Sequence, residues 1–430
     1  MEVTTVLQAY TRYKKSRESW LGDIPEHWEE KKFKHIFSEK KKTTNVSLNC
    51  GSISFGKVVY KDDEKIPEST KRSYQVLSKG EFLINPLNLN YDLISLRIAL
   101  SDKDVVVSSG YIILNNNLKL NKEYFKWLLH IFDVVYMKTL GSGVRQTLSF
   151  THIANCELVF PPLEEQNKMA QFLEIKTTKV EQAISIKQKQ IELLKERRQI
   201  LIHKAVTRGL NENVKLKDSG VEWIGEIPEH WKNSKIKAIA KTISGATPPS
   251  GNILRYYNGE YPWIRTTDLN NGILNEVPEY ITEAGLRDTA CKIIPKYTIC
   301  IAMYGGGGTI GKFALVNFEN ATLNQAVCGI IGNIEINYLF LYYSLQMMRK
   351  HWMFYADGSR KDPNISQDII KNMPIVYPNL KEQKRIVEYI ETSNIKIATA
   401  IFLKEQEIEK LKEYKMSLID SVVTGKAKVC

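Results

Sequence analysis

One nine-residue pattern occurs twice in this chain, as Trp20-Leu-Gly-Asp-Ile-Pro-Glu-His-Trp28 and as Trp223-Ile-Gly-Glu-Ile-Pro-Glu-His-Trp231. A second pair of matching segments follows, Phe160-Pro-Pro-Leu-Glu-Glu-Gln166 and Tyr377-Pro-Asn-Leu-Lys-Glu-Gln383. The stretch between these anchors is 14 residues longer in the second copy, and the two stretches diverge in sequence. The chain is therefore an internal repeat, in which two copies of one scaffold carry different middles.

A long helix is predicted after each second anchor, because apolar residues recur there at alternating steps of four and three residues. Two basic residues interrupt the stripe at matching places in both copies. The stripe comprises Val180, Ile184, Lys187, Ile191, Leu194, Arg198, Leu201 and Ala205 in the first copy, and Ile397, Ile401, Lys404, Ile408, Leu411, Lys415, Leu418 and Val422 in the second. Such a stripe requires a partner surface, and Gly209 and Gly425 stand where each helix should end.

We expect the two helices to pair with each other as an antiparallel coiled coil. The order unit, helix, unit, helix would then have a pseudo-twofold axis, with the two units at opposite ends. The alternative is that each helix packs on its own domain.

The middles are predicted to be rich in short strands, separated by Gly, Asn, Ser and Asp. The predicted strands are 58–60, 81–84, 105–107 and 111–114 in the first copy and 261–264, 298–303, 312–316 and 326–331 in the second. Helices are predicted over 124–137 and 336–356. The fold class is therefore α+β, with two similar α+β domains at 1–163 and 210–379 and two long helices at 164–209 and 380–430.

Charge is the most informative bulk property of the chain. Its 430 residues carry a net charge of +12 with a pI near 9.1, which favours a polyanionic partner over a basic surface with no special partner. No apolar run approaches the roughly 20 residues that cross a bilayer, and the start of the chain lacks a secretory signal pattern. The six cysteines are scattered without a C-x-x-C pair, which fits a reducing, cytoplasmic compartment.

Polar side chains that could read the edges of DNA bases gather in the predicted loops. Arg suits guanine, whereas Asn and Gln suit adenine, and a run of lysines suits phosphates. An ordinary solvated loop side chain remains the alternative for each residue taken singly. The candidates are Lys40, Lys41, Lys42, Asn88, Asn90, Tyr91, Ser109, Arg145 and Gln146 in the first copy, and Arg265, Thr266, Thr267, Asp268, Asn324, Gln325, Arg360 and Lys361 in the second. For Arg265, a structural salt bridge competes with base contact.

Enzymatic motifs are weak in this sequence. Gly306 to Lys312 matches G-x-x-x-x-G-K, but the next residue is Phe313 instead of Ser or Thr, and a strand is predicted where a phosphate-binding loop requires a helix. The histidines show no metal spacing, and no catalytic triad can be placed. His27 and His230 are better interpreted as parts of a structural clasp. We therefore expect no catalytic residue, no metal and no cofactor in this chain.

The repeat resembles the specificity subunits of type I restriction–modification systems over nearly the whole chain. The resemblance rests on the doubled IPEHW, on PPLEEQ and PNLKEQ leading into helices, and on GATP and YPWIRTTDL between Gly245 and Leu269. The segments GSGVRQTLS and DGSRKDPNIS, shortly before each helix, also look like family signatures.

The resemblance implies that each α+β domain is a target recognition domain that reads half of a bipartite site in double-stranded DNA. It also implies partners: two methyltransferase (modification) subunits that use S-adenosylmethionine, and restriction/translocase subunits that use ATP and Mg²⁺. The competing hypothesis is a two-headed scaffold or adaptor that binds no DNA.

Overall fold

The structure is a computed structural model that describes residues 8–88, 96–137, 146–304, 308–351 and 364–429. The chain divides into two compact units. Unit 1 comprises residues 1–187 and 405–430, and unit 2 comprises residues 188–404. Each unit therefore contains the first half of one long helix and the second half of the other.

Unit 1 is built from short strands, one medium helix and its two halves of the long helices. Its strands are β1 (Tyr13–Lys15), β2 (Asp23–Pro25), β3 (Glu29–Lys32), β4 (Phe37–Glu39), β5 (Gly51–Ser54), β6 (Lys57–Tyr60), β7 (Gln75–Leu77), β8 (Phe82–Ile84), β9 (Leu87–Asn88), β10 (Ile98–Leu100), β11 (Val105–Val107), β12 (Ile112–Asn116), β13 (Gln146–Thr147) and β14 (Glu157–Phe160). Its helices are α1 (Phe33–Ile36), α2 (Glu68–Lys71), α3 (Lys122–Val135), α4 (Phe150–Ile153) and the beginning of α5 (Leu163–Arg208).

The main sheet of unit 1 has the order β4-β12-β8-β10, and every neighbouring pair is antiparallel. Helix α3 covers it. The side chain of Asn121 caps α3 by accepting a hydrogen bond from the Tyr124 amide, which satisfies one of the free donors of the first turn. Tyr124, Phe125 and Phe132 of α3 are fully buried in the core of the unit. These aromatic side chains hold the helix on the sheet.

Unit 2 repeats this plan with different additions. Its strands are β15 (Leu216–Asp218), β16 (Glu226–Pro228), β17 (Lys232–Lys235), β18 (Ala240–Ser244), β19 (Tyr257–Ile264), β20 (Ile273–Leu274), β21 (Tyr280–Ile281), β22 (Ile299–Ala302), β23 (Phe313–Val316), β24 (Thr322–Leu323), β25 (Val327–Gly332) and β26 (Pro374–Tyr377). Its helices are α6 (Ile236–Ile239), α7 (Ile253–Tyr256), α8 (Glu283–Arg287), α9 (Tyr338–Met348), α10 (Gln367–Asn372) and the beginning of α11 (Leu380–Val423).

The two units share one frame. The main sheet of unit 2 has the order β18-β25-β22-β23, with β20 added in parallel at its edge, and this is the strand order of unit 1. Each unit also has a short antiparallel pair that contains the Ile-Pro of the pentapeptide, β1–β2 or β15–β16. What differs is the interval between β4 and β8 in unit 1 and between β18 and β22 in unit 2. Residues 40–81 in unit 1 contain the β5–β6 hairpin, α2 and β7, whereas residues 245–298 in unit 2 contain α7, β19, β20, β21 and α8.

The predicted elements agree closely with the structure, and the α+β fold class is confirmed. The strand predicted over 105–107 is β11 without change, and the other strands shift by one to four residues at their ends. Helix 124–137 is α3. Helix 336–356 is α9 followed by a 3-10 turn at Arg349–His351, and the rest of that prediction lies outside the described residues.

The two long helices pack against each other within each unit, and the pairing is antiparallel. In unit 1, the Lys187 ammonium lies 2.5 Å from the Glu407 carboxylate, and Lys415 lies 2.5 Å from Glu181. In unit 2, Arg198 Nε donates to Asn394 Oδ1 at 2.9 Å. Lys187, Arg198 and Lys415, which interrupt the apolar stripe, are therefore bonded to polar residues of the facing helix.

Candidate nucleic-acid interface

The residues predicted to contact DNA differ in how much of them the structure describes: some lie outside it, some are described by their backbone alone, and the rest are described with their side chains. Asn90, Tyr91, Arg145, Arg360 and Lys361 lie outside the described residues. Asn88 and Gln146 are described by their backbone, and they face each other in the β9–β13 pair. This pairing places Asn88 and Gln146, which are 58 positions apart in the chain, side by side.

The predicted phosphate-binding lysines of unit 1 have different surroundings. Lys40 Nζ lies 2.8 Å from both oxygens of Glu81, and its side chain is 18% exposed. Lys42 Nζ donates to the Ser109 carbonyl at 3.0 Å, and it is exposed, as is Lys41. Because Glu81 neutralises the charge of Lys40, we expect Lys40 to bind a phosphate less strongly than Lys41 and Lys42.

The predicted residues of unit 2 that the structure describes converge on one edge, where strands β19 and β24 end. Strands β19 and β24 are parallel, with Ile264 opposite Leu323. Arg265 and Asn324 follow these two residues directly, and the Asn324 amide donates to the Ile264 carbonyl at 2.9 Å. The structure therefore places the Arg265–Asp268 segment beside Asn324 and Gln325.

The two family-like motifs of unit 2 meet at the same edge. Trp263 Nε1 donates to the Ala246 carbonyl at 3.1 Å, and the Ala246 amide donates to the Leu323 carbonyl at 2.9 Å. At Gly245 a Cβ atom would lie only 1.9 Å from the Leu323 oxygen. Glycine is required at this position because two backbones pass in contact.

The Arg265 side chain forms ion pairs with two carboxylates, those of Asp268 and Glu279. Its guanidinium reaches Asp268 Oδ1 and Glu279 Oε1, each at 3.3 Å, and its backbone amide donates to Asp268 Oδ2 at 2.8 Å. The Asp268 side chain is nearly buried. Of the two alternatives that the sequence left open, these contacts support the structural ion pair. Thr267 and Gln325 are the exposed members of the edge.

The doubled pentapeptide forms a clasp at the start of each long helix. In unit 1, Glu165 accepts hydrogen bonds from His27 Nε2 at 2.6 Å, from Trp28 Nε1 at 3.0 Å and from the Tyr10 hydroxyl at 2.9 Å. Burial alone would raise the pKa of Glu165, but these hydrogen bonds stabilise the carboxylate and hold its pKa below the usual value. In unit 2, Glu382 accepts from His230 Nε2 at 2.9 Å and from Trp231 Nε1 at 3.1 Å.

The same tryptophans also contact the end of the other long helix. Gly425, two residues after α11, has a φ of +80°, and a Cβ there would lie 2.9 Å from the Trp28 ring. Gly209, directly after α5, has a φ of +72°, and a Cβ there would lie 3.2 Å from the Trp231 ring. Each clasp therefore joins the start of one long helix to the end of the other, which explains why the pentapeptide occurs twice.

Sequence reasoning missed the acidic and amide partners in the clasps. Glu165 and Glu382 accept the indole and imidazole protons. Gln166 and Gln383 are fully buried, and each donates to the carbonyl of the proline five positions earlier. The signal was present in the sequence, because the Glu-Gln pair recurs with the pentapeptide.

Within the described part of the chain, no cluster of three or more His, Cys, Asp or Glu residues could hold a metal ion. Phe313 begins strand β23, so the helix that a phosphate-binding loop requires at this point is replaced by a strand. The five described cysteines are free and buried. Among the described helices, none combines the length and the apolar character of a membrane span.

A family model described as the type I restriction modification DNA specificity domain matches residues 25–196 and 228–413 of this chain. The type I restriction enzyme MjaVIII specificity subunit of Methanocaldococcus jannaschii is 26% identical over 354 residues, which cover 78% of this chain and 74% of that protein. A chain solved in a study of complex assembly and conformational transition of the type I R-M system has a TM-score of 0.69 at 14% identity, covering 93% of this chain and 98% of its own. The HsdS subunit of Thermoanaerobacter tengcongensis has a TM-score of 0.55 at 14% identity, covering 94% and 98%.

Proposed function

The chain belongs to the family of type I restriction–modification DNA specificity subunits, and on this basis we propose that each of its two units reads one half of a bipartite site in double-stranded DNA. The observation that carries the proposal is the double match of the specificity domain, one copy falling largely on each unit. The two units share a sheet of the same strand order and differ in the interval inserted into it. A shared frame with different inserts is suited to reading two different sequences.

The family match favours this function over a two-headed adaptor that binds no DNA. A mobility-shift assay with the full chain, at about 50 and 200 mM salt, separates the two functions. Several Lys and Arg residues on phosphates should make log K fall with log salt, with a slope of about −0.9 for each phosphate neutralised. Binding that does not change between the two salt concentrations would contradict the proposal.

We infer that the chemistry of the complex belongs to other subunits. Specificity subunits of type I systems work in a complex with DNA and other subunits, and we propose two modification subunits and restriction subunits as the partners of this chain. S-adenosylmethionine, ATP and Mg²⁺ would then be bound by those partners. Reconstitution with separately purified modification subunits tests this division, since methyl transfer should require both components.

We further propose that the chain acts in the cytoplasm, where it would bind DNA. The free thiols of the five described cysteines support this proposal, because free cysteines are typical of a reducing compartment. Cell fractionation with an antibody against the full chain tests it.

The bases that are read can be mapped directly. Methylome sequencing of the host, with the gene for this chain present and deleted, should show one bipartite motif that disappears with the gene. Replacing residues 29–159 with the equivalent segment of a relative should then change one half of that motif. A change in both halves would contradict the assignment of one half to each unit.

We also propose that the long helices set the gap between the two half-sites. Helix α5 has 46 residues, which corresponds to roughly 69 Å at about 1.5 Å per residue. Adding one heptad to both α5 and α11 keeps the apolar stripe in phase and adds about 10.5 Å, or about three base pairs. Binding to DNAs that differ only in gap length tests this, and an unchanged preference at full affinity would refute it.

A further inference from the structure

The hairpin of unit 1 has an unusual residue at its tip. Strands β5 and β6 pair with Ser54 opposite Lys57, so Phe55 and Gly56 form a two-residue turn. Their φ angles are +47° and +72°, and two positive values identify a type I′ turn, which favours Asn-Gly or Asp-Gly. An aromatic residue is unfavourable at the first position, because its Cβ crowds the neighbouring carbonyl oxygen in the left-handed region.

Packing within the unit does not offset this strain. The Phe55 side chain is 75% exposed, although a phenyl ring is stabilised by burial. Both the backbone angle and the exposure are therefore unfavourable for the isolated chain. Strained residues of this kind concentrate at sites where a protein engages a ligand.

The hairpin tip packs closely against described residues of unit 1. A Cβ on Gly56 would lie 2.9 Å from Leu96 Cδ1 and 3.2 Å from His130 Nε2. His130 is buried and bonded through Nε2 to the Ile98 carbonyl at 3.1 Å. Leu96 is the first described residue after 89–95, the segment that carries Asn90 and Tyr91. The turn that carries Phe55 is therefore packed closely against Leu96 and the buried His130, while the Phe55 ring itself is exposed.

The charges around the tip suit an anionic partner. Lys57 and Lys61 are exposed on and after β6. Of the three acidic residues that follow, Asp62 is paired with Lys65 at 2.9 Å and Asp63 with Lys71 at 2.7 Å, and Glu64 is exposed. A polyanion that also offers flat apolar surfaces to a phenyl ring has the chemistry of a nucleic acid.

We propose that Phe55 is an apolar wedge that inserts its ring against the bases of the half-site read by unit 1. Proteins that insert Phe or Leu side chains between base steps partly unstack them and bend the duplex. The proposal rests on the proposed DNA-binding function and adds a specific contact to it. The hairpin lies in the interval that distinguishes unit 1 from unit 2, so the wedge would serve one half-site.

Phe55→Asn tests this proposal, because asparagine suits the left-handed turn position and removes only the ring. The variant should fold at least as stably as the wild type, which thermal unfolding verifies. Phe55→Trp is the matched control, since it keeps an aromatic ring at the tip.

The binding probe is a duplex of about 40 base pairs bearing the motif mapped by methylome sequencing, with 2-aminopurine placed in turn at each position of one half-site. The full chain is used in complex with its modification subunits. The wild type and Phe55→Trp should raise the fluorescence at one base step. Phe55→Asn should abolish this rise and weaken binding about 5- to 150-fold, the range for loss of one aromatic–base stack. The slope of log K against log salt should stay unchanged, because no phosphate contact is removed.

Equal affinity and equal fluorescence for Phe55→Asn and the wild type would overturn the proposal. Loss of the modification subunits from the Phe55→Asn complex, with the fluorescence rise retained, would also overturn it and assign the tip to a protein contact. A wild-type complex that fails to bind the mapped duplex would instead refute the proposed function.

Discussion

Unit 1 and unit 2 place four strands in the same order, yet the interval between β4 and β8 in unit 1 and the interval between β18 and β22 in unit 2 have different structures. In unit 1 this interval contains the β5–β6 hairpin with Phe55 at its tip. In unit 2 it contains α7, on which Leu254 is fully exposed, and β19, which ends in the Arg265 edge. The frame is constrained by its core and by the clasps, whereas the interval is free to vary.

At one position of the shared frame the backbone has a positive φ angle in both units, and the two units place different residues there. Two residues before β8, Gly80 has a φ of +83°, and two residues before β22, Tyr297 has a φ of +67°. Glycine adopts this angle without strain. Tyr297 does not, but its ring stacks on Tyr338 with centroids 4.3 Å apart. The shared frame therefore conserves backbone geometry and leaves the side-chain chemistry free.

The largest effects should come from the two clasps. Trp28 and Trp231 are almost completely buried, so Trp28→Ala and Trp231→Ala should each lower the free energy of unfolding by about 3–5 kcal/mol. Hydrogen exchange monitored by mass spectrometry should show the loss of protection in unit 1 for the first variant and in unit 2 for the second. If either variant destabilised both units equally, the prediction that each clasp stabilises only its own unit would be wrong.

A buried ion pair distinguishes the cores of the two units. Arg97 Nε donates to Asp133 Oδ1 at 2.9 Å, and both side chains are buried. The Arg97 terminal nitrogens, Nη1 and Nη2, find no acceptor in the part of the chain that the structure describes. By register, Lys312 and Arg349 occupy the corresponding positions of unit 2, and two cations cannot form such a pair.

Asp133→Ala should therefore destabilise unit 1 by about 3 kcal/mol, because it leaves the Arg97 charge buried and unpaired. The double variant Arg97→Met/Asp133→Leu removes both charges and should recover most of the loss. Urea unfolding measures both. A double variant as unstable as Asp133→Ala would show that the pair contributes more than charge compensation.

The clasp of unit 1 should respond to acid. The pKa of Glu165 is lower in the folded state than its unfolded value of about 4.3, so its contribution to stability is complete above that value and is lost as pH falls through the folded pKa. Glu165→Gln should cost about 1–2 kcal/mol at pH 7, and the cost should shrink below about pH 4.5. Glu382→Gln is the matched variant in unit 2. Unfolding curves measured from pH 7 to pH 3 would contradict the prediction if the cost of Glu165→Gln were constant.

The smallest effects should come from the Gly80 and Tyr297 positions. Gly80→Ala should cost about 1 kcal/mol because it introduces left-handed strain. Tyr297→Gly relieves strain and loses the stack on Tyr338, which is worth about 0.5–1.5 kcal/mol, so the two changes should nearly cancel. Thermal unfolding compares them, and a large loss for Tyr297→Gly would mean that stacking outweighs strain.

The sequence predicted the frame well, because anchors, strand patterns and helical stripes are local signals that were repeated. The sequence predicted that Lys187 and Lys415 interrupt the apolar stripe. It did not predict that Glu407 and Glu181 face them, because the stripe of one helix does not reveal the register of the helix that packs against it. The Arg97–Asp133 pair joins residues far apart in the chain and left no local signal. The role of Arg265 depended on whether Asp268 and Glu279 surround it, and only three-dimensional contacts decide that.

The division of the chain into units has a consequence for the order in which it matures on the ribosome. Unit 2 is one continuous stretch, so it can fold as soon as residue 404 has left the exit tunnel. Unit 1 must wait for the last segment, because Leu418, Val422 and Val423 belong to its core, the Tyr124 hydroxyl donates to the Val423 carbonyl, and Gln8 pairs with Lys428. The half synthesised first therefore finishes folding last, and a truncated translation product would release a complete unit 2 beside an unfinished unit 1.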